Sequence, residues 1–264
     1  MVNFASNQIK ILGADKTSIH MGRPGGAPAA IFNPVLAILQ RRLEDLEKVD
    51  VSVTQVRLAI QYLQARLPYY TGELDRETAI NGLVDAAIGM KGVWGLKISW
   101  AGNIAPNAIW WSDEFPILIL ELKNSMGLGG DAFLQAVIVY SKLVTQEKVE
   151  CPISAALRPM AYLCLQFKRF REFCNFPIIL IGATANRLEI SVAVCVGSIY
   201  VSKLLTLDLS LGFHASDNLI RLARVFVALS DCRVDLQNYY DEVVKLRSPR
   251  LSCLFPSPTL IDVA

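Results

Sequence analysis

The chain has 264 residues, of which 53% are hydrophobic and 19% charged, and its formal net charge is +2. Such a composition excludes a wholly disordered protein and a broadly basic nucleic-acid-binding face, and the length is enough to bury a sizeable core. Two histidines (His20, His214) and six cysteines without a C-x-x-C pair argue against Ser-His-Asp or Cys-His catalysis and against zinc.

Residues 1–30, ending in GRPGGAPAA, read as a flexible arm. Residues 31–68 read as an N-terminal helical extension of two helices. The first carries Leu36, Leu39, Leu43 and Leu46 on one stripe; the second carries Val56, Ile60, Leu63 and Leu67. Pro68 and Gly72 punctuate the chain before a third helix, ELDRETAINGLVDAAIGM, with an apolar stripe of Leu74, Ile80, Leu83, Val84, Ala87 and Ile88. Glu73 and Glu77 lie four apart near its start, on one face, where the helix dipole favours carboxylates.

Short strand-like pieces follow: VWGLKISWAGNI, AIWW and PILILELKN. Asp131 is placed to cap a helix running to about Thr145. Residues 150–174 have helical character around AYLCLQFKRFREF. Three further strands are predicted in PIILIGAT, RLEISVAVCV and SIYVSKLL, and a long closing helix over about 216–245. The apolar stretch 190–213 is broken by Lys203 and Asp208, so no membrane span is expected, and the N-terminus shows no secretory signal. The scattered thiols suit an intracellular protein, cytoplasmic or nuclear. This order of helices and strands predicts one α/β domain, a mixed central sheet flanked by helices, over 69–246, with a tail at 247–264.

The stretch FPILILELKNSMGLGGDAFLQAVIVY, residues 115–140, raises a chemical question. Alternation along a strand puts Ile117, Ile119, Glu121 and Lys123 on one face. Read blandly, Glu121 and Lys123 form an edge-exposed ion pair contributing about 0–1 kcal/mol. Read chemically, a carboxylate on a rigid strand suits Mg²⁺, and a lysine on the same face suits stabilisation of charge at a phosphoryl group. A second carboxylate must then come from elsewhere, with Glu73 and Glu77 as the distant sources.

With ELDRETAINGLVDAAIG, WAGNI and PILILELKNSMGLGGDAFLQAVIVY, the chain resembles a PD-(D/E)xK nuclease-type domain of restriction-endonuclease-like fold. It more particularly resembles the nuclease-like domains of fungal crinkler-related proteins. Their E-x-x-R helix, D-G hairpin, E-[VL]-K-N strand, G-x-G-G turn and Q-A helix ending in an aromatic follow in this order. The ILIGAT strand, two more strands and an A-R-V-F-x-A-L helix ending in Tyr239-Tyr240 extend the match, which covers about residues 69–258. LFPSP at 254–258 is similar to the segment that leads into a kinase-like domain in many relatives.

The resemblance implies metal-dependent hydrolysis of phosphodiesters, with DNA the expected partner in preference to RNA and Mg²⁺ or Mn²⁺ the cofactor. Glu121 becomes the metal-binding carboxylate, Lys123 the catalytic lysine and Glu73 the first-helix carboxylate and second metal ligand, with Glu77 its substitute. Gln135 becomes the helix residue that braces the site and Tyr140 its aromatic neighbour. One element departs from the pattern: Ala101-Gly102 stands where the family has Asp-Gly. Asp113 is a metal-ligand candidate in its place only if the hairpin is short. Two readings therefore stay open. One is a nuclease; the other is a catalytically inactive interaction or regulatory module, with a protein partner or a lost kinase-like domain.

Three other signals are read blandly. SMGLGGD lacks G-K-[ST] and G-x-G-x-x-G spacing and reads as a tight turn. Trp94, Trp100, Trp110 and Trp111 read as core and cross-strand packing in preference to base stacking. Lys168, Arg169 and Arg171 read as a solvated basic helix face.

Overall fold

The computed structural model describes residues 19–21, 28–66, 68–98, 104–113, 115–124, 131–145, 174–184, 186–209 and 215–245. Period-two and continuous apolar runs form seven strands: β1 (Ile19–Met21), β2 (Val93–Trp94), β3 (Ala108–Ser112), β4 (Phe115–Leu122), β5 (Ile178–Ala183), β6 (Arg187–Val196) and β7 (Ser198–Asp208). They build one mixed sheet in the order β1-β7-β6-β5-β4-β3-β2. Among the described residues five α-helices flank it: α1 (Pro34–Glu44), α2 (Val53–Arg66), α3 (Glu73–Ile88), α4 (Ala132–Thr145) and α5 (Ala215–Lys245). The expected α/β class with a mixed sheet between helices is what the chain adopts.

Every residue of β4 is buried, which fits its near-continuous apolar sequence in the interior of the sheet. It pairs antiparallel with β3 and parallel with β5, and α4 makes the crossover between the two parallel strands. Glu121 lies opposite Gly182 in this pairing, so both point to the same face. A Cβ on Gly182 would stand 2.7 Å from the main-chain nitrogen of Phe133, so the first turn of α4 closes directly over that face. On the other face Leu118 pairs with Trp110, whose indole Nε1 donates to the carbonyl of Met90 just past α3. The long α5 packs against α1, α2, α3 and β4.

Leu36, Leu39, Leu43 and Leu46 are all buried, as their spacing predicts. In α2 the buried stripe is rotated from the expected one. Ala59, Tyr62 and Arg66 face inward, while Ile60 is exposed. Tyr62 meets Phe226 of α5 edge-on at 5.3 Å, so an aromatic contact and the small Ala59 set the orientation against the longer aliphatics. In α3 the expected stripe holds at Ile80, Val84, Ala87 and Ile88, but Leu74 is exposed and Arg76 and Glu77 are buried instead. Gly89, in the left-handed region at φ 71, stops the helix.

The arm also differs from expectation, because Ile19–Met21 extends the sheet as a parallel edge strand on β7. Trp94 and Trp110 pack edge-on at 5.6 Å and Trp110 is fully buried, in line with core packing. Burial pushes the Cys232 thiol well above its ordinary value, as a structural thiol requires. No helix among the described residues is long and apolar enough to cross a membrane. Ala101, Trp100, the turn at 125–130, the basic segment at 168–173, His214 and the tail at 247–264 lie outside the described residues.

Candidate functional site

The carboxyl end of β4 is where charge enters the interior. Glu121 is 3% exposed and Lys123 8%, so the bland reading of an edge-exposed pair does not hold. An unpaired charge at that depth costs several kcal/mol or neutralises, so partners are required. The partner of Lys123 comes from fifty positions earlier in the chain: Nζ lies 3.2 Å from both carboxylate oxygens of Glu73. Beyond the strand, the Lys123 main-chain N–H donates to the carbonyl of Ala183, so the β4–β5 pairing holds the lysine's backbone in place.

Glu77, one turn further along α3, is held differently. Its Oε2 accepts from Asn107 Nδ2 at 2.8 Å, and Asn107 Oδ1 accepts from the Leu122 main-chain N–H at 2.8 Å. The Asn107 carbonyl accepts from the Gly95 N–H, so this one side chain and its backbone tie α3, the β2 edge and the end of β4 together. Asn107 is the residue that sequence reasoning missed. Its only local sign is a polar amide immediately before the apolar AIWW strand. Asn107→Ala leaves the Leu122 N–H and Glu77 without these partners and is expected to cost about 1–3 kcal/mol. Denaturant unfolding measures it, and a cost below a few tenths of a kcal/mol would mean water replaces the amide fully.

Glu121 sits in the field of these groups. Its carboxyl is pushed up to about 8, first by burial; Lys123 and a main-chain hydrogen bond at Asn107 pull it down, while Glu73 and Glu77 push it further up. The four ionisable side chains are three carboxyl groups and one ammonium, with Glu121 the carboxyl that holds its proton. Two buried amide oxygens lack a donor: Asn124 Oδ1, on the residue after Lys123, and Gln135 Oε1, in the first turns of α4, have no hydrogen-bond partner among the described residues. Asp131 caps that helix, as expected, accepting from the N–H groups of Phe133 and Leu134.

Carboxyl and unsatisfied amide oxygens are the donor types that suit a hard divalent cation such as Mg²⁺ or Mn²⁺. The fit rests on Glu121 and the amide oxygens and not on a full set of acids. Among the described residues no three His, Cys, Asp or Glu side chains group to hold a metal.

The structure thus brings Glu121, Lys123, Glu73 and Glu77 to one end of the sheet and sets Gln135 in the helix turns that close over it. It does not bring Asp113 there. The β3–β4 turn is tight, with Ser112 opposite Phe115, and Asp113 occupies it at φ 49. From Phe115 to Glu121 the strand runs roughly 20 Å, so Asp113 stands at the opposite end of the hairpin and the expectation of a third ligand there is corrected. Tyr140 also lies elsewhere: its hydroxyl donates to the carbonyl of Phe176, before the start of β5, far from the Glu121 end.

In comparison with known proteins, the chain matches no family model, no curated protein and no solved structure.

Proposed function

We propose that the cluster at the end of β4 is a PD-(D/E)xK-type nuclease-like site that hydrolyses the phosphodiesters of DNA with a divalent metal. The observation that carries this reading is the Lys123–Glu73 pair at 3.2 Å beside the buried Glu121, which joins the E-x-K strand to the E-x-x-R helix. The order α3, β2, β3, β4, α4, β5 also agrees with the order of elements in the nuclease-like domains the sequence resembles.

In this reading Glu121 holds the metal, with the amide oxygens of Gln135 and Asn124 as supporting donors. Mg²⁺ or Mn²⁺ supplies Lewis-acid stabilisation of the phosphoryl oxygens. Glu73 orients the Lys123 ammonium, and that charge favours the developing negative charge of the reaction. Asn107 keeps Glu77 from collapsing onto the pair. Burial of Glu121 and Lys123 strengthens their electrostatic contacts relative to water.

A second reading, an inactive interaction module, is favoured by two observations. Among the described residues no three His, Cys, Asp or Glu side chains group to hold a metal, and the sequence has Ala101 where the family it resembles has Asp. Supercoiled plasmid incubated with the purified chain and Mn²⁺, together with Mn²⁺ titration followed by electron paramagnetic resonance, separates the two. The nuclease reading expects bound Mn²⁺ and nicked circles, both lost in Glu121→Ala, and nicking alone lost in Lys123→Ala. Bound Mn²⁺ without nicking in any divalent condition selects the inactive module. No bound Mn²⁺ removes the metal site altogether.

A further inference from the structure

Beside the carboxylates lies a second cluster of opposite character. Arg66, the last residue of α2, and Arg76, in the first turns of α3, are 3% and 6% exposed. One Arg66 nitrogen, Nη2, donates to the carbonyl of Thr184, the residue after β5. Its Nη1 has no hydrogen-bond partner among the described residues, nor do Nε and Nη1 of Arg76, nor the hydroxyl of Thr184. Each guanidinium lies against an aromatic ring, Arg66 over Tyr62 at 5.5 Å and Arg76 over Tyr70 at 5.4 Å. Each guanidinium thus has a ring against one face, while Nη1 of Arg66 and Nε and Nη1 of Arg76 remain unused.

Burial, followed by the neighbouring Arg66 charge, holds Arg76 below the ordinary arginine value. Two buried like charges within each other's field are unfavourable without an anion. The nearby Glu73 carboxylate favours the Arg76 charge through its field, but its hydrogen bonds go to Lys123 and leave the arginine donors unfilled.

From this geometry we propose that Arg66, Arg76 and Thr184 form a phosphate-binding subsite that takes the phosphate group of a nucleotide chain. Guanidinium forks match phosphate oxygens in two-bond geometry, and a hydroxyl adds one more donor. Lysine or backbone amides would not explain a pair of buried, ring-stacked forks with their edges vacant. The subsite needs no metal and stands whether or not Glu121 binds one.

The test uses the full chain in EDTA and chloride buffer, with binding read by calorimetry and by the shift in thermal midpoint. Three probes are titrated: inorganic phosphate, a short single-stranded oligonucleotide with a 5′-phosphate, and the same oligonucleotide without it. Saturable binding of phosphate is expected, weakened on the order of tenfold or more in Arg76→Met. In chloride alone that variant should be at least as stable as the parent, because it loses an unpaired buried charge. A purely structural arginine predicts the reverse, a lower midpoint with phosphate binding unchanged, and that result overturns the proposal. Absence of binding by every probe overturns it as well.

If Arg76→Met does not fold, Arg76→Lys keeps the charge without the fork and should show the same loss of phosphate affinity. Preference for the phosphorylated oligonucleotide assigns the subsite to a terminal monoester; equal binding of both assigns it to a backbone diester. Glu121→Gln should leave phosphate binding intact while abolishing Mn²⁺ binding, so failure of the metal reading is distinguishable from failure of this one.

Discussion

Glu121→Gln is expected to remove most of the pH dependence of this protein's stability between pH 5 and 9 and to make the variant the more stable form at high pH. The buried carboxyl is pushed from an ordinary 4.5 up to about 8 in the folded chain. Between those values the folded state holds a proton that the unfolded state has released. Stability therefore falls as pH rises through the window, and above pH 8 the full cost of an ionised, crowded carboxylate is present. The gap corresponds to a loss on the order of 5 kcal/mol across the window.

Glutamine keeps the shape and cannot ionise, so the slope should vanish. Urea unfolding at pH 5, 7 and 9 measures it. A parent chain whose stability is flat over that range would show that Lys123 compensates Glu121 fully. The same linkage sets the metal behaviour: a cation competes with the proton at Glu121, so Mn²⁺ should stabilise the parent far more at pH 9 than at pH 6. In Glu121→Gln that difference should disappear.

Trp110→Ala is expected to cost about 3–5 kcal/mol, the range for truncating a fully buried large aromatic. Trp110 has no exposed surface, and Gly92 leaves room for its ring: a Cβ there would stand 2.6 Å from the indole. It stacks edge-on with Trp94 and donates to the Met90 carbonyl. Alanine leaves a cavity between β3 and the end of α3 and an unpartnered carbonyl. The effect should appear as a lower denaturant midpoint with an unchanged slope. A cost below about 1 kcal/mol would mean the short β2 edge collapses into the space, which the cavity relation allows only where neighbours are free to move.

These predictions involve residues of different legibility. The strand FPILILEL was plain because eight consecutive apolar or strand-end residues admit little else, and Asp131 announced the helix it caps by chemistry local to one turn. The acidic start of α3 was also visible as two carboxylates four apart. Their separate fates were not: Glu73 reaches Lys123, while Glu77 is taken by Asn107. Nothing within a few residues of Asn107 distinguishes it from an ordinary loop amide. Its role exists only because β2, α3 and β4 converge around it.

The arginines were harder still. In α2 the apolar count favoured Val56, Ile60 and Leu63, and the helix turned instead to bury Ala59, Tyr62 and Arg66. Periodicity registers which positions are greasy; the identity of the neighbouring surface decides which of two overlapping faces goes inward.

The amino-acid sequence by itself determined the kinds of element, their order and the presence of an acid and a base at the end of the most apolar strand, because those follow from spacing within single segments. The tertiary structure alone decided which distant acid meets Lys123, that Asp113 stands at the wrong end of its hairpin, and that two arginines lie buried beside the carboxylates. Such pairings depend on how rigid helices and strands settle against one another over tens of residues, and side-chain chemistry in one segment carries no record of the partner that packing will bring to it.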